Sequence, residues 1–260
     1  MKEQIKIFWV ALMFYTRIPC PKHTEHTPEY LNKATRFFPL IGWIVGSISF
    51  VVFWLSYQVF DENIAVVFSL SAGVLVTGAF HEDGFADTFD GFGGGWTKTK
   101  ILEIMKDSRI GTYGVIALIF LFLLKFLALQ SIFTKANNIW LVLLVFVAYH
   151  SLARMTAANI IFVSQYARDD EKSKVKPIAQ SYGNAEIIGV YVFGLFPLAI
   201  LSLINVVFVA VLILLVGLFA FAKRYFEKWI GGYTGDCLGA VEQIAECLCL
   251  LFFASIWRFM

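Results

Sequence analysis

Charge is scarce in this chain. Of its 260 residues, 15% are Asp, Glu, Lys or Arg, and they leave a net charge of +2. So small an excess, with no Lys/Arg block resembling a nucleic-acid arm, excludes nucleic acid as a partner class. Cysteine is scarce as well. Cys20, Cys237, Cys247 and Cys249 contain no CxxC pair, so neither a zinc site nor a disulfide framework is indicated. They read as small hydrophobes. Internal repeats, low-complexity stretches and long linkers are absent, which leaves a single domain over residues 1–260. A signal peptide also lacks support. Residues 5–15 are apolar and follow Lys2 and Lys6, but Thr16-Arg17-Ile18-Pro19-Cys20-Pro21 comes next in place of a small-residue cleavage site. An interfacial helix is the expected structure there.

What the chain has is apolar sequence. Hydrophobic residues make up 59% of it and the mean hydropathy is positive. The expected class is an all-α polytopic membrane protein. After a polar connector at 19–36 holding Lys22, His23, His26, Lys33 and Arg36, seven spans are expected. They are Phe37–Phe60, Ile64–Phe80, Thr112–Phe133, Ile139–Val163, two within Ile187–Ala222, and Val241–Trp257. The 36 residues of Ile187–Ala222 are too many for one crossing of about 30 Å, so a turn is placed near Ser202–Asn205. Gly42 and Gly46 form a small-xxx-small pair suited to close helix packing. The connecting segments 1–36, 81–111, 164–186 and 223–240 hold 17 of the 21 Lys and Arg. The opposite side has Lys135 and Arg258, while Lys125 and Arg154 lie within spans. By the positive-inside rule this asymmetry puts the N-terminus and every polar motif on the cytoplasmic face of a cytoplasmic membrane.

Chemistry concentrates in residues 78–95. Glu82, Asp83, Asp87 and Asp90 fall within nine residues, and Gly91, Gly93, Gly94 and Gly95 follow. If the helix from Ile64 continues through this stretch, Asp83, Asp87 and Asp90 share one face at i, i+4 and i+7. Like charges stacked this way need a cation or water between them. Mg²⁺ suits the first case, because it takes oxygen ligands and bridges carboxylates to substrate phosphates. Gly93 and Gly94 would let backbone N–H groups approach a phosphate. The plainer reading is an acidic, solvated loop. His81 is a candidate general base beside the metal, or an interfacial histidine.

Two further clusters follow. Lys106-Asp107-Ser108-Arg109 can clamp a phosphate while Asp107 joins the metal shell, although basic residues before a span are also ordinary topology determinants. Thr234-Gly235-Asp236 with Gly239 precedes the last span, where Asp236 is either a site residue or a helix cap. Glu242 and Glu246 lie inside that span and need partners, for which Lys125, His150 and Arg154 are available. Arg154 alternatively snorkels toward the cytoplasmic interface, where it joins Gly93 and Gly94 as a ligand-binding candidate. The residues alone therefore point to a membrane enzyme that uses Mg²⁺ and carboxylates on phosphorylated substrates.

The strings His81-Glu82-Asp83-Gly84-Phe85-Ala86-Asp87-Thr88-Phe89-Asp90-Gly91 and Met105-Lys106-Asp107-Ser108-Arg109-Ile110-Gly111 are specific. With Thr16-Arg17-Ile18-Pro19, Phe38-Pro39-Leu40-Ile41-Gly42 and Thr234-Gly235-Asp236-Cys237-Leu238-Gly239-Ala240, they make the chain resemble the cobalamin synthase (adenosylcobinamide-GDP ribazoletransferase) family over nearly its whole length. Glu82 stands where that family often has Leu. Asp169-Asp170-Glu171-Lys172 follows Arg168, where the family usually continues Gly-rich. The resemblance implies that adenosylcobinamide-GDP and α-ribazole, or its 5′-phosphate, are joined with release of GMP. In that reading Asp83, Asp87 and Asp90, with Glu82 as a less safe ligand, hold Mg²⁺ on the pyrophosphate. Lys106 and Arg109 neutralise the leaving GMP, and Asp107 or Asp236 completes the metal shell or orients the nucleophile. Docking of other cobamide-assembly enzymes on the cytoplasmic face would account for a membrane location. Two other classes stay open: a CDP-alcohol phosphotransferase, whose aspartate spacing overlaps only partly, and a transporter with Lys125, His150 and Arg154 as its midplane site.

Overall fold

The computed structural model describes residues 2–22, 24, 27–135, 138–168 and 182–257. The readings attached to His23, His26, Lys172, Lys174, Lys176 and Arg258, and to the run Asp169-Asp170-Glu171, fall outside these residues. Among the described residues there are eleven α-helices and no strand. They are α1 (Lys2–Tyr15), α2 (Pro28–Ala34), α3 (Phe38–Tyr57), α4 (Glu62–Thr77), α5 (Phe80–Gly94), α6 (Lys98–Ile104), α7 (Thr112–Phe133), α8 (Ile139–Val163), α9 (Asn184–Ile204), α10 (Val211–Ile230) and α11 (Gly235–Trp257). Six helical stretches are long and apolar enough to cross a membrane, and a seventh crossing results if the bent pair α4–α5 counts as one. The chain is an all-α polytopic membrane protein. Large apolar side chains stand exposed along its spans, Leu203 at 86% and Ile213 at 74%, as a lipid-facing surface requires.

Helices α7 and α8 coincide with the apolar runs that announce them. The long run from Ile187 divides at Asn205, whose side chain accepts the Val207 N–H at 2.9 Å and starts the next helical segment. The segment 223–240, expected as a loop, is mostly helical. Helix α10 continues to Ile230, and α11 begins at Gly235. A Lys223–Glu227 ion pair (2.7 Å) supports that polar extension at i, i+4 spacing. Hydropathy registers only the apolar length of a helix, so polar turns projecting beyond it are missed.

The helix from Ile64 does not continue into the acidic stretch. It stops at Gly78 (φ 70°) and Ala79 (φ 59°), both left-handed, and α5 departs at 90° to α4. Gly78 meets that backbone demand, and its bare Cα lies against the Arg17 side chain. The freed carbonyls are satisfied locally. Val76 accepts from the Arg17 N–H (2.7 Å), and Val74 from the Ala79 N–H (2.9 Å). A break inside a membrane bundle persists only where protein supplies such partners. Glu82 and Asp83 occupy the first turn of α5, where negative charge suits the helix dipole.

Close helix crossings fix the rest. Gly42 and Gly46 bring α3 against α8. A Cβ on either would stand 2.6 Å from a backbone carbonyl oxygen, that of His150 or of Phe146. Gly84 meets Asp236, and Gly239 meets the His81 carbonyl, so α5 and α11 cross almost backbone to backbone. The apolar core around α8 includes Phe146, Tyr149, Leu152, Leu250 and Phe253, all buried.

Candidate active site

Helix α5 sorts its carboxylates onto different surfaces. Asp83 is exposed and Asp87 half-buried one turn further on, so they form an i, i+4 pair on an accessible face. Asp236, in the first turn of α11, lies within electrostatic range of both. Asp236 also accepts from Arg168 Nη2 at 2.7 Å, an ion pair between positions far apart in the sequence. Thr234 Oγ1 lies 3.2 Å from the same carboxylate.

Asp90 is committed elsewhere. Its two oxygens accept the N–H groups of Gly111 (2.6 Å) and Gly114 (2.9 Å), capping the start of α7 from a neighbouring helix. A Cβ on either glycine would collide with that carboxylate. Glu82 turns inward and accepts from Gln243 Nε2 at 3.2 Å. The Glu82 and Asp90 carboxylates, expected beside Asp83 and Asp87 as metal ligands, are directed onto other partners in this structure: a shared helix does not give side chains a shared surface. Gly93 and Gly94, expected to admit a phosphate, lie at the other end of the helix. They form the last turn of α5, where carbonyls are the free groups and the N–H groups are used within the helix, which is the wrong polarity for a phosphate cradle. Gly93 instead admits the Tyr113 ring, which a Cβ would strike at 2.6 Å.

The second cluster separates as well. Arg109 is exposed and folds back on Asp107, with Nη2 to Oδ2 at 2.6 Å and Nε to Oδ1 at 3.0 Å. This contact pulls the Asp107 carboxyl down to about 2, below its ordinary value. Lys106 faces another way, into an open cleft of about 410 Å³ that it lines with Lys98 and Arg168.

Behind α5 lies a buried polar network. Lys125 Nζ donates to Gln243 Oε1 (2.5 Å) and Glu246 Oε2 (2.6 Å). His150 Nδ1 contacts Glu246 Oε1 at 2.5 Å. Arg154 Nη1 reaches Glu242 (2.9 Å), Glu246 (3.2 Å) and the His150 carbonyl (3.0 Å). Arg154 is 1% exposed, so it neither snorkels to the interface nor meets a ligand at the accessible face. His81, 3% exposed, lies against the Phe38 ring with Nδ1 3.8 Å from Glu242. Its side chain lines this interior with Glu82, while the Asp83–Asp87 pair lies on the accessible face. The three side chains on which a transporter reading rests, Lys125, His150 and Arg154, are thus engaged by internal carboxylates.

Among the described residues, no three His, Cys, Asp or Glu side chains are grouped so as to hold a metal ion by themselves. What remains is the Asp83–Asp87 pair with Asp236 beside it. Mg²⁺ ordinarily takes one or two carboxylates from a protein and completes its shell with phosphate and water. The donor set therefore fits a Mg²⁺ ion carried on a phosphorylated substrate, and does not fit an all-protein cage.

Arg168 and Lys98 are the site residues that motif reading passed over. No spacing joins Arg168 to Asp236. A parallel backbone bridge, in which Tyr233 bonds to Gln165 and Ala167 (2.9 and 2.8 Å), brings the two segments together.

A bundle of membrane-crossing helices, with an accessible carboxylate pair beside a cationic cleft at one end, defines a membrane-embedded enzyme of the phosphate-handling kind. The cobalamin-5-phosphate synthase family model matches residues 7–254, and the chain belongs to that family. It is 44% identical over 254 residues to an adenosylcobinamide-GDP ribazoletransferase of Shewanella sp. (strain W3-18-1), covering 96% of this chain and 94% of the relative. It is 42% identical over 252 residues to the Shewanella oneidensis protein of the same name, covering 95% and 93%. No solved structure matches it.

Proposed function

We propose that the chain is a membrane transferase of cobalamin assembly that joins adenosylcobinamide-GDP to α-ribazole, or to α-ribazole 5′-phosphate. The products are adenosylcobalamin, or its 5′-phosphate, and GMP. The observation that carries this reading is the family match along residues 7–254, together with relatives named for this reaction.

In this reading the ribazole 3′-hydroxyl attacks the phosphorus attached to cobinamide. A new P–O bond forms, the bond to the GMP phosphate breaks, and the hydroxyl proton is lost to a carboxylate or to solvent. Asp83 and Asp87 would hold Mg²⁺ on the pyrophosphate, and the bound ion would supply charge neutralisation at the reacting phosphate. Asp236, oriented by Arg168 and Thr234, lies beside that pair and is placed to receive the hydroxyl proton or fix the nucleophile. The polar network behind α5 keeps the helix from rotating its acidic face away. By the distribution of Lys and Arg, the N-terminus and this face are cytoplasmic, in the cytoplasmic membrane of a bacterium or archaeon. Other enzymes of the assembly pathway would meet the protein there.

The test uses detergent-purified protein with adenosylcobinamide-GDP and α-ribazole, following GMP release and cobamide formation with Mg²⁺ and then with EDTA. Metal-dependent appearance of both products is expected. Turnover of a CDP-linked donor with release of CMP, or transport without nucleotide release, would overturn the assignment.

A further inference from the structure

We infer that the cleft between α6 and the 164–168 connection is the subsite for the departing nucleotide phosphate, held by Lys98, Lys106 and Arg168. The inference rests on the reading above, in which a guanosine diphosphate donor loses GMP. Four observations carry it.

The cleft's volume, about 410 Å³, is in the range that accommodates a nucleotide-sized ligand. Three cationic side chains line it against one acidic side chain, Glu103, and that carboxylate is paired with Lys100 at 3.0 Å. A surplus of positive charge in a concave, partly apolar wall is what an anionic ligand requires. Arg168 joins this cleft to the carboxylate face. One of its nitrogens is bonded to Asp236, while its Nε is buried with no hydrogen-bond partner among the described residues, a spare donor at the seam between the two surfaces. An unpaired buried N–H is costly, so a ligand oxygen there would be stabilising.

Finally, the cleft wall is rigidly placed. Ala167 donates to the Tyr233 carbonyl, and the Tyr233 N–H returns to Gln165, so the residue before Arg168 is fixed against the turn that carries Asp236. A pyrophosphate lying across the seam would present its inner phosphate to Asp83 and Asp87 and its outer phosphate to the three cations. Negative charge develops on the outer phosphate as the P–O bond breaks. Lys106 keeps the role expected of it, but Lys98 and Arg168 replace Arg109, which is turned onto Asp107.

The test measures binding of GMP and of guanosine to the full chain in nanodiscs by calorimetry, alongside turnover of adenosylcobinamide-GDP. Wild type should bind GMP, and guanosine should bind far more weakly. Lys98→Ala and Arg168→Ala should each weaken GMP about tenfold or more, the loss expected for one charged contact. Each should also raise the KM for the donor. Lys22→Ala removes one exposed cation that does not line the cleft and should leave GMP binding unchanged. Thermal transitions of all variants verify folding, and Arg168→Lys, which retains the charge, guards against a purely structural loss. If Lys98→Ala and Arg168→Ala both bind GMP as wild type does, or if Lys22→Ala loses as much as they do, the subsite is wrong while the transferase reading stands. If wild type binds no GMP and releases none from the donor, the transferase reading itself has failed.

Discussion

Glu246 is engaged by three buried side chains, and replacing it tests how the acidic face is held. Its carboxylate meets Lys125 at 2.6 Å, His150 at 2.5 Å and Arg154 at 3.2 Å, all within the bundle. In Glu246→Ala, Lys125 keeps one neutral acceptor, Gln243, and His150 Nδ1 loses its carboxylate partner and keeps the Arg154 Nη1 contact at 3.3 Å. Arg154 retains Glu242 at 2.9 Å, so the penalty falls on Lys125 and His150. Removing one member of a buried ion pair costs about 3–5 kcal/mol, because the remaining charge cannot rehydrate. Glu246→Gln keeps one carbonyl oxygen and should cost about 1–3 kcal/mol. Unfolding by SDS or heat in bicelles, followed by tryptophan fluorescence, reads both values. A chain of this length should lose on the order of 10 °C in Tm for the alanine variant. The double variant Lys125→Met/Glu246→Leu should be less destabilised than the sum of its single changes, since neither charge is left alone. Glu246→Ala within about 1 kcal/mol of wild type, or additivity of the pair within about 0.5 kcal/mol, would refute the reasoning.

Four further outcomes are expected. Asp83→Asn and Asp87→Asn should each reduce turnover about a hundredfold or more while leaving the thermal transition in place, as measured by GMP release. Asp90→Ala should act mainly on stability, by about 1–2 kcal/mol, because it uncaps α7; an unchanged melting curve with abolished turnover would favour Asp90 as a metal ligand. Gly42→Ala should cost about 1–3 kcal/mol by forcing α3 from the His150 carbonyl, measured by the same unfolding assay. Asp107, pulled to about 2 by Arg109, contributes its ion pair above its ordinary carboxyl range and loses it only as pH falls through about 2. Asp107→Asn should therefore shift no inflection of the pH–rate profile between about pH 5 and 9.

Much of this protein can be read from local sequence. Apolar runs locate α7 and α8 to the residue, because insertion into a bilayer depends on a sum over neighbouring side chains. The i, i+4 spacing of Asp83 and Asp87 sets them on one face of whatever helix carries them, and Gly42 and Gly46 announce a close crossing before its partner is known. The strings around Asp83 and Lys106 carry the family. Tertiary structure decides what pairing and direction add. Sequence spacing did not reveal that the chain turns through 90° at Gly78–Ala79, because the break is sustained by the Arg17 N–H, distant in sequence. Nor does spacing distinguish Asp90 from Asp87, although one caps α7 and the other stays accessible. The partners of Arg154, the inward turn of His81 and Glu82, and the Arg168–Asp236 bridge all join residues far apart along the chain. Such contacts are set by how whole helices pack. Hydropathy and spacing act over a few turns, and an ion pair across the bundle exists only once the bundle does.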